Sequence, residues 1–401
     1  MLRLAWWLMN DAPELGLDAD EEEDAERDTI RTPFDPANVD IFDRKFTIGS
    51  LLERLKHKEL RLTPDFQRRA NLWDVERKSR LIESVLLRIP LPSFYFSEDT
   101  EGNFEVVDGL QRLCSIFHFV DYAALNSATG ARLDPLRLAG LQYLKDKTNS
   151  NFSELERPFQ RRINELEINV NVIRATTPKA VMFNVFARLN QGGLPLSAQE
   201  IRNAIYPGSW RDHVRALATG ATFLSATENR VPTDRQQDME MVLRFVALWT
   251  LGKPFLRPGN QVLDKFLNDA VEQRLSAVSE VQWRQIAEAL KRGLDAARQV
   301  FGRHAFRKSY GHFARSPINK GLFESQTVGL AALTNEEFQI LVSKRKEVDA
   351  RFGALIDARN RFSTGLRSGT GHAEASNARV EELTKLFRGV IDADKTDTEE
   401  L

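Results

Sequence analysis

A single cysteine, Cys114, stands in a chain of 401 residues. That scarcity excludes a disulfide framework, a Cys-based zinc site and a CxxC redox pair. Histidine is nearly as sparse: six copies, with no HxH or HExxH spacing, make no His-rich metal centre. No apolar run approaches the roughly 20 residues of a spanning helix. The longest candidate, Leu2 to Met9, runs into an acidic stretch rather than a small-residue cleavage site. A cytoplasmic protein without a membrane segment is the expectation. What is present is globular material: 42% hydrophobic and 28% charged residues, in a chain long enough for two cored domains.

Net charge is also almost missing, at −1, but only as a total. Asp11–Asp43 holds 13 acidic and 2 basic residues, and residues 381–401 hold 7 and 3. With Arg3 counted apart, residues 44–380 carry +13. A basic body between acidic ends suits a polyanion partner, nucleic acid or nucleotide. A solvated basic surface with two disordered ends has the same composition. The run Asp18 to Asp28 is too charged to fold alone.

Periodicity predicts an amphipathic helix over Phe46–Leu60, with Leu51, Leu52 and Leu55 on one face. Asp74 reads as the N-cap of a helix over Val75–Arg88, ended by Pro90 and Pro92. Short strands follow at Ser93–Ser97 and Phe104–Val107, joined by a polar turn containing Gly102. Leu110–Tyr122 returns to helical spacing, and Leu125–Gly140 reads as looser chain. A helix over Ser153–Asn164 precedes an alternating strand, Leu166–Ile173, with Ile168, Val170 and Val172 opposite Asn169 and Asn171. Helices then run from Pro178 to Leu189 and, capped by Ser197, to Ile205. Beyond Pro207 only helical patterns appear, over Met239–Thr250, Val262–Val278, Ser279–Phe301 and Asn335–Asp357. The fold class is therefore α+β, with a mixed front half and an all-helical back half.

Three clusters at element ends could carry chemistry. Phe66-Gln67-Arg68-Arg69, with Trp73 nearby, offers forked phosphate pairing beside aromatic rings, or an ordinary exposed basic loop. Asp108-Gly109-Leu110-Gln111-Arg112 joins a strand to a helix. Glycine there permits close ligand approach, the helix's free N–H groups suit phosphate, and Asp108 could help hold magnesium. Without function, the same residues make a common strand-to-helix turn. Asn190 ends a helix before Gly192-Gly193, between Arg188 and Arg202, which equally describes a C-cap.

Taken in order, these clusters resemble the N-terminal domain of GmrSD-type, modification-dependent restriction enzymes and related phage-defence proteins. The matching residues are Phe66-Gln67-Arg68, Trp73, Ile89-Pro90-Leu91-Pro92, Asp108 to Arg112 and Asn190 to Leu196. The resemblance covers Phe46 to Ala204. It continues more weakly through Asp238-Met239-Glu240 and Pro317-Ile318-Asn319-Lys320.

It implies a ParB/sulfiredoxin-like α/β domain that binds a nucleoside triphosphate with magnesium, followed by an all-helical domain. Gln67, Arg68, Asp108, Gly109, Gln111, Arg112 and Asn190 would hold the nucleotide. Asp108 would meet the metal, and Asp108 with Arg112 would act in any hydrolysis. Leu110 departs from the family's first Gln, and Phe66 from its usual Tyr.

The implied layout is an acidic arm (1–44), the nucleotide-binding domain (45–205), a helical domain (206–380) and an acidic tail (381–401). The implied role is a DNA-interacting sensor or regulatory component of restriction or phage defence, its DNA modified or from phage. An effector protein would act in trans. Two rivals stay open: a nucleotide-hydrolysing or DNA-nicking enzyme using the Asp108–Arg112 loop, and a non-enzymatic DNA binder with a relic pocket. No His-Asn-His nuclease pattern completes around His304 and His312. Sulfiredoxin chemistry needs a cysteine in the loop, whereas Cys114 falls on the core face of the following helix, as a buried structural thiol.

Overall fold

A computed structural model describes residues 40–62, 73–189, 197–206, 208–233, 235–311, 313–367 and 370–399. The described residues divide into two compact units, one ending at Ile205 and the other starting at Tyr206.

The first unit holds five strands, β1 Ile41–Thr47, β2 Leu60–Arg61, β3 Phe94–Glu98, β4 Phe104–Asp108 and β5 Glu167–Ile173. They form one mixed sheet in the order β1-β5-β3-β4-β2. Its helices are α1 Ile48–Lys56, α2 Val75–Leu86, α3 Leu110–Val120, α4 Tyr122–Thr129, α5 Arg157–Asn164, α6 Lys179–Leu189 and α7 Ala198–Ile205.

One face of the sheet is apolar because alternate residues point to it. Phe46, Phe94, Phe96, Phe104, Val106, Ile168, Val170 and Val172 enter a single core with residues of α1, α2 and α3. In α1 the buried positions are Ile48, Leu51, Leu52 and Leu55, the i, i+3, i+4, i+7 stripe of an amphipathic helix.

The Phe46–Leu60 helix is shorter than its periodicity predicts. Phe46 pairs with Ile168 in the β1–β5 ladder, so the strand takes it. Thr47 then caps α1 by accepting the Ser50 N–H at 3.2 Å. Past its end Lys58 turns at φ 64°, and Leu60 joins β2 opposite Phe104. Ile41 to Arg44, expected in the acidic arm, belong to β1; residues 1–39 of that arm lie outside the described residues.

The Asp74 cap is present, accepting the Arg77 N–H at 2.7 Å. Ser197 and Glu200 close both arms of a capping box at α7. Part of the looser stretch is helical, since Asp121 caps α4 and Gly130 ends it at φ 71°. The Ser153–Asn164 helix breaks in two because Pro158 is suited to the first turn of α5.

Among its described residues the second unit contains helices and two isolated bridges. Its principal helices are α8 Trp210–Ala218, α9 Gln237–Trp249, α10 Glu280–Phe301, α11 Lys320–Ala331, α12 Asn335–Ser343, α13 Arg345–Asp357 and α14 Ala373–Glu399. The Asn335–Asp357 pattern divides into α12 and α13, with Lys344 between them.

Residues 381–401 are not a free acidic tail through their described part. Leu383, Leu386, Phe387, Val390 and Ile391 of α14 are buried at helical spacing, while Glu381 and Asp392 lie on the opposite side of the helix. No helix among the described residues is long and apolar enough to cross a membrane.

Candidate functional site

The Asp108–Arg112 segment is built by three local choices. The β3–β4 ladder pairs Phe96 with Val106 but Tyr95 with Asp108, so β4 carries one extra residue at Val107. That bulge returns Asp108 to the sheet face opposite the core, beside Tyr95.

Gly109 then turns at φ 90° and starts α3 without a capping side chain. A Cβ on Gly109 would stand 2.2 Å from Cδ1 of Phe94, so backbone sign and space both demand glycine. The first intrahelical bond runs from Leu113 N to Gly109 O at 2.9 Å. The first-turn N–H groups, at the positive end of the helix dipole, therefore face the end of β4.

Arg112 holds this junction closed. Its Nη1 donates to Pro92 O at 2.5 Å, and Nη2 donates to Ser93 O at 3.2 Å and to Asp108 Oδ2 at 3.0 Å. Its guanidinium also lies 4.4 Å from the centre of the Phe94 ring. Burial pulls the Arg112 pKa below the usual arginine value, and Asp108 acts against that pull. Arg112 therefore ties α3 to the start of β3. Asp108 keeps its second oxygen outside that ion pair, with the side chain 43% exposed. Gln111 is half-buried, whereas Leu110, 7% exposed, belongs to the core cluster.

Gln67, Arg68 and Asn190 lie outside the described residues, as does Phe66. The loop of the first cluster is represented only by Trp73, over which the Arg77 guanidinium packs at 4.4 Å. Arg202 is buried in α7, donating to Gln199 Oε1 at 2.6 Å. Phe94, the ring on which both Gly109 and Arg112 rest, is part of an aromatic strand in the sequence. Only the fold shows its place under the junction.

The other residues that the sequence offers for chemistry are placed as follows. Cys114 is buried, and burial drives its thiol pKa well up. His304 is buried, with Nδ1 2.9 Å from Ser309 Oγ and Nε2 accepting Arg303 Nε–H at 3.0 Å. His312 lies outside the described residues. No group of three or more metal-ligating His, Cys, Asp or Glu occurs among the described residues.

The two weaker motifs of the helical unit do meet. Lys320 Nζ is 3.5 Å, and Arg244 Nη2 2.7 Å, from the same Glu240 oxygen. Nearby, Arg379 pairs with buried Glu324 at 2.7 Å. Burial alone would raise the Glu324 pKa, and Arg379 and Arg244 hold it below the ordinary value. This is a buried ionic network joining α9, α11 and α14. Arg307 and Arg315 likewise converge on Glu228, at 3.3 and 2.8 Å, rather than lying open for DNA.

Residues 48–207 match the family model of the GmrSD restriction endonuclease, N-terminal domain. That segment is similar to the GmrSD-type N-terminal domain, as its motifs imply. The match takes in β2 to β5 and the Asp108–Arg112 junction, and it starts just after β1. No curated protein and no solved structure matches the chain. The likeness is to a restriction-endonuclease domain and covers the front unit alone.

Proposed function

We propose that this chain is a nucleotide-binding, DNA-interacting sensor or regulatory component of a bacterial restriction or phage-defence system. The observation that carries the reading is the junction itself. A bulge and a sterically enforced glycine set a carboxylate beside an uncapped helix N-terminus, inside a GmrSD-type domain.

The phosphates of a nucleoside triphosphate would lie at the first turn of α3. Magnesium would take the outer oxygen of Asp108. One carboxylate is enough for this ion, because water and phosphate oxygens supply its other ligands. Gln67, Arg68 and Asn190 would complete the pocket. Arg112 fits a positioning role, because Pro92, Ser93 and Asp108 already engage it. The junction also suits a ParB/sulfiredoxin-like relationship for the sheet. Leu110, turned into the core, favours binding over turnover, and an effector protein in trans would supply any cutting.

Calorimetry with ATP, GTP and CTP plus magnesium tests the reading on the full chain and on Asp108→Ala. At a hundredfold excess over Kd, a ligand should stabilise the fold by about 2.7 kcal/mol, visible as a melting shift. Binding by wild type that weakens in the variant supports the proposal. No binding of any nucleotide to wild type defeats it, and salt-sensitive DNA binding alone would then favour the relic pocket.

A further inference from the structure

One side of α2 serves the core, where Ile82, Val85 and Leu86 are buried. On the other side Arg77, Arg80 and Ser84 recur at helical spacing, and Leu87, the C-cap, continues the stripe. None of the four is buried, and they run about 15 Å from end to end. Arg88 and Ile89 carry the exposed row past the helix.

This stripe gathers apolar surface. Seven large hydrophobic side chains are exposed among the described residues, and four of them sit here: Val75, Leu87, Ile89 and Tyr143. Tyr143 is 74% exposed although its backbone is tied to α2. Buried Glu83 accepts its N–H at 2.7 Å and the next one, of Leu144, at 2.8 Å.

The cations between these side chains are open too. Arg88 makes no ion pair among the described residues. Arg77 packs on the Trp73 ring, and Arg80 stands 4.0 Å from Glu76, an exposed pair of little strength. A surface both apolar and cationic fits an occupant both apolar and acidic.

The chain holds such a segment. Residues 11–28 carry ten acidic side chains against one arginine, with Leu15 and Leu17 ahead of five consecutive acids, Asp20 to Asp24. They lie outside the described residues. Their connection to the domain is long enough to reach α2. Asp40 O accepts the Arg174 N–H just past one end of β5, and Glu167 at the other end lines a cleft with Arg88 and Ile89. The strand between measures about 20 Å. The 16 residues from Asp24 to Asp40 reach up to about 55 Å.

We infer that the outer face of α2 is the docking site of the chain's own acidic segment, residues 11–28, bound in cis. Its carboxylates meet Arg77, Arg80 and Arg88, and Leu15 and Leu17 cover Leu87 and Ile89. Docked there, the segment withholds these arginines from other polyanions and yields to salt.

Ser84→Cys tests this on the full chain by placing a thiol mid-face, since the native Cys114 is buried. Its alkylation rate with an uncharged maleimide reads the cover. A tethered segment at about millimolar effective concentration, with an intrinsic Kd of about 0.1 mM, protects about tenfold. Amide replacement of the five acids (Asp20→Asn, Glu21→Gln, Glu22→Gln, Glu23→Gln, Asp24→Asn) should raise the rate by that factor. Molar salt should do the same, and so should Arg77→Gln, Arg80→Gln and Arg88→Gln together. Thr100→Cys, in the exposed turn between β3 and β4, should react alike throughout. Leu87→Cys repeats the reading should Ser84→Cys fail to fold. Equal rates with and without the five acids overturn the inference. Protection that fades on dilution also overturns it, by making a second copy the occupant. Protection that appears only with added duplex DNA does so by giving the face to nucleic acid.

Discussion

Replacing Gly109 with alanine should damage the junction more than any other single-methyl change nearby, for two separable reasons. Its φ of 90° puts an L side chain in the left-handed region, at a cost of about 1–2 kcal/mol. The new Cβ would also lie 2.2 Å from Cδ1 of Phe94 and 2.7 Å from Cε1. Phe94 cannot move aside freely, because it is fully buried and carries the Arg112 guanidinium on its ring. Forced repacking of that kind costs roughly 1–3 kcal/mol more.

Gly102 provides the comparison. Its φ is 81°, and a Cβ there would meet nothing within 4 Å. Gly102→Ala should therefore show the backbone cost alone. Because the chain has two units, a global melt mixes their transitions, so the readout should be local. Hydrogen exchange of peptides spanning β3, β4 and α3 measures the opening free energy directly. Gly109→Ala should exchange about 5- to 150-fold faster than Gly102→Ala, the equivalent of 1–3 kcal/mol. Trimming the ring with Phe94→Leu should shrink that excess. Equal effects of the two glycine changes would refute the close-packing account and leave only backbone sign.

Two further outcomes follow from named contacts. Glu83 accepts the N–H groups of Tyr143 and Leu144 at 2.7 and 2.8 Å and of Gln142 at 3.1 Å. Burial would raise its pKa, but these backbone donors outweigh it and the folded value is lowered. Its stabilisation is thus complete above the unfolded carboxyl value near ~4.3 and lost as pH falls through the folded one. Glu83→Gln should cost about 1–3 kcal/mol at neutral pH and flatten that acid limb in urea titrations; an unchanged limb would count against it. Leu110→Gln should lose about 1–3 kcal/mol by burying an amide in the core, without raising phosphate release. Faster release would show that the side chain at position 110 reaches the ligand.

How much of this could be read from residues alone varies element by element. The Leu166–Ile173 alternation gives β5 and its faces, because period-two burial is local. Asp74 and Ser197 mark helix starts for the same reason: a cap acts within three residues. β1 escapes such reading, since its partner lies more than a hundred residues on and Leu51, Leu52 and Leu55 draw the eye to a longer helix. The bulge at Val107 is a property of two strands together, so the placing of Asp108 beside Tyr95 needed the fold. Arg112 is a formal positive charge in the sequence; only the carbonyls of Pro92 and Ser93 show that it is spoken for. In α14 the count of acids hid an apolar stripe that charge arithmetic does not see.

β1 also sets the terms on which this domain can be handled as a fragment. The family match begins at residue 48, yet β5 pairs along its whole length with Ile41–Thr47. Asp40 and Thr177 lock the far end of that pairing, Asp40 N to Thr177 Oγ1 at 3.2 Å. A piece cut at the family boundary would strip the outer strand and turn an interior one into a raw edge. It would offer seven residues of unpaired backbone flanked by Ile168, Val170 and Val172 to any passing copy. Among the described residues the sheet ends instead on the strand with Asp43, Arg44 and Lys45, consecutive charges of a kind that discourages edge-to-edge stacking. Solubility of the isolated domain should thus turn on seven residues that lie outside the family's own borders.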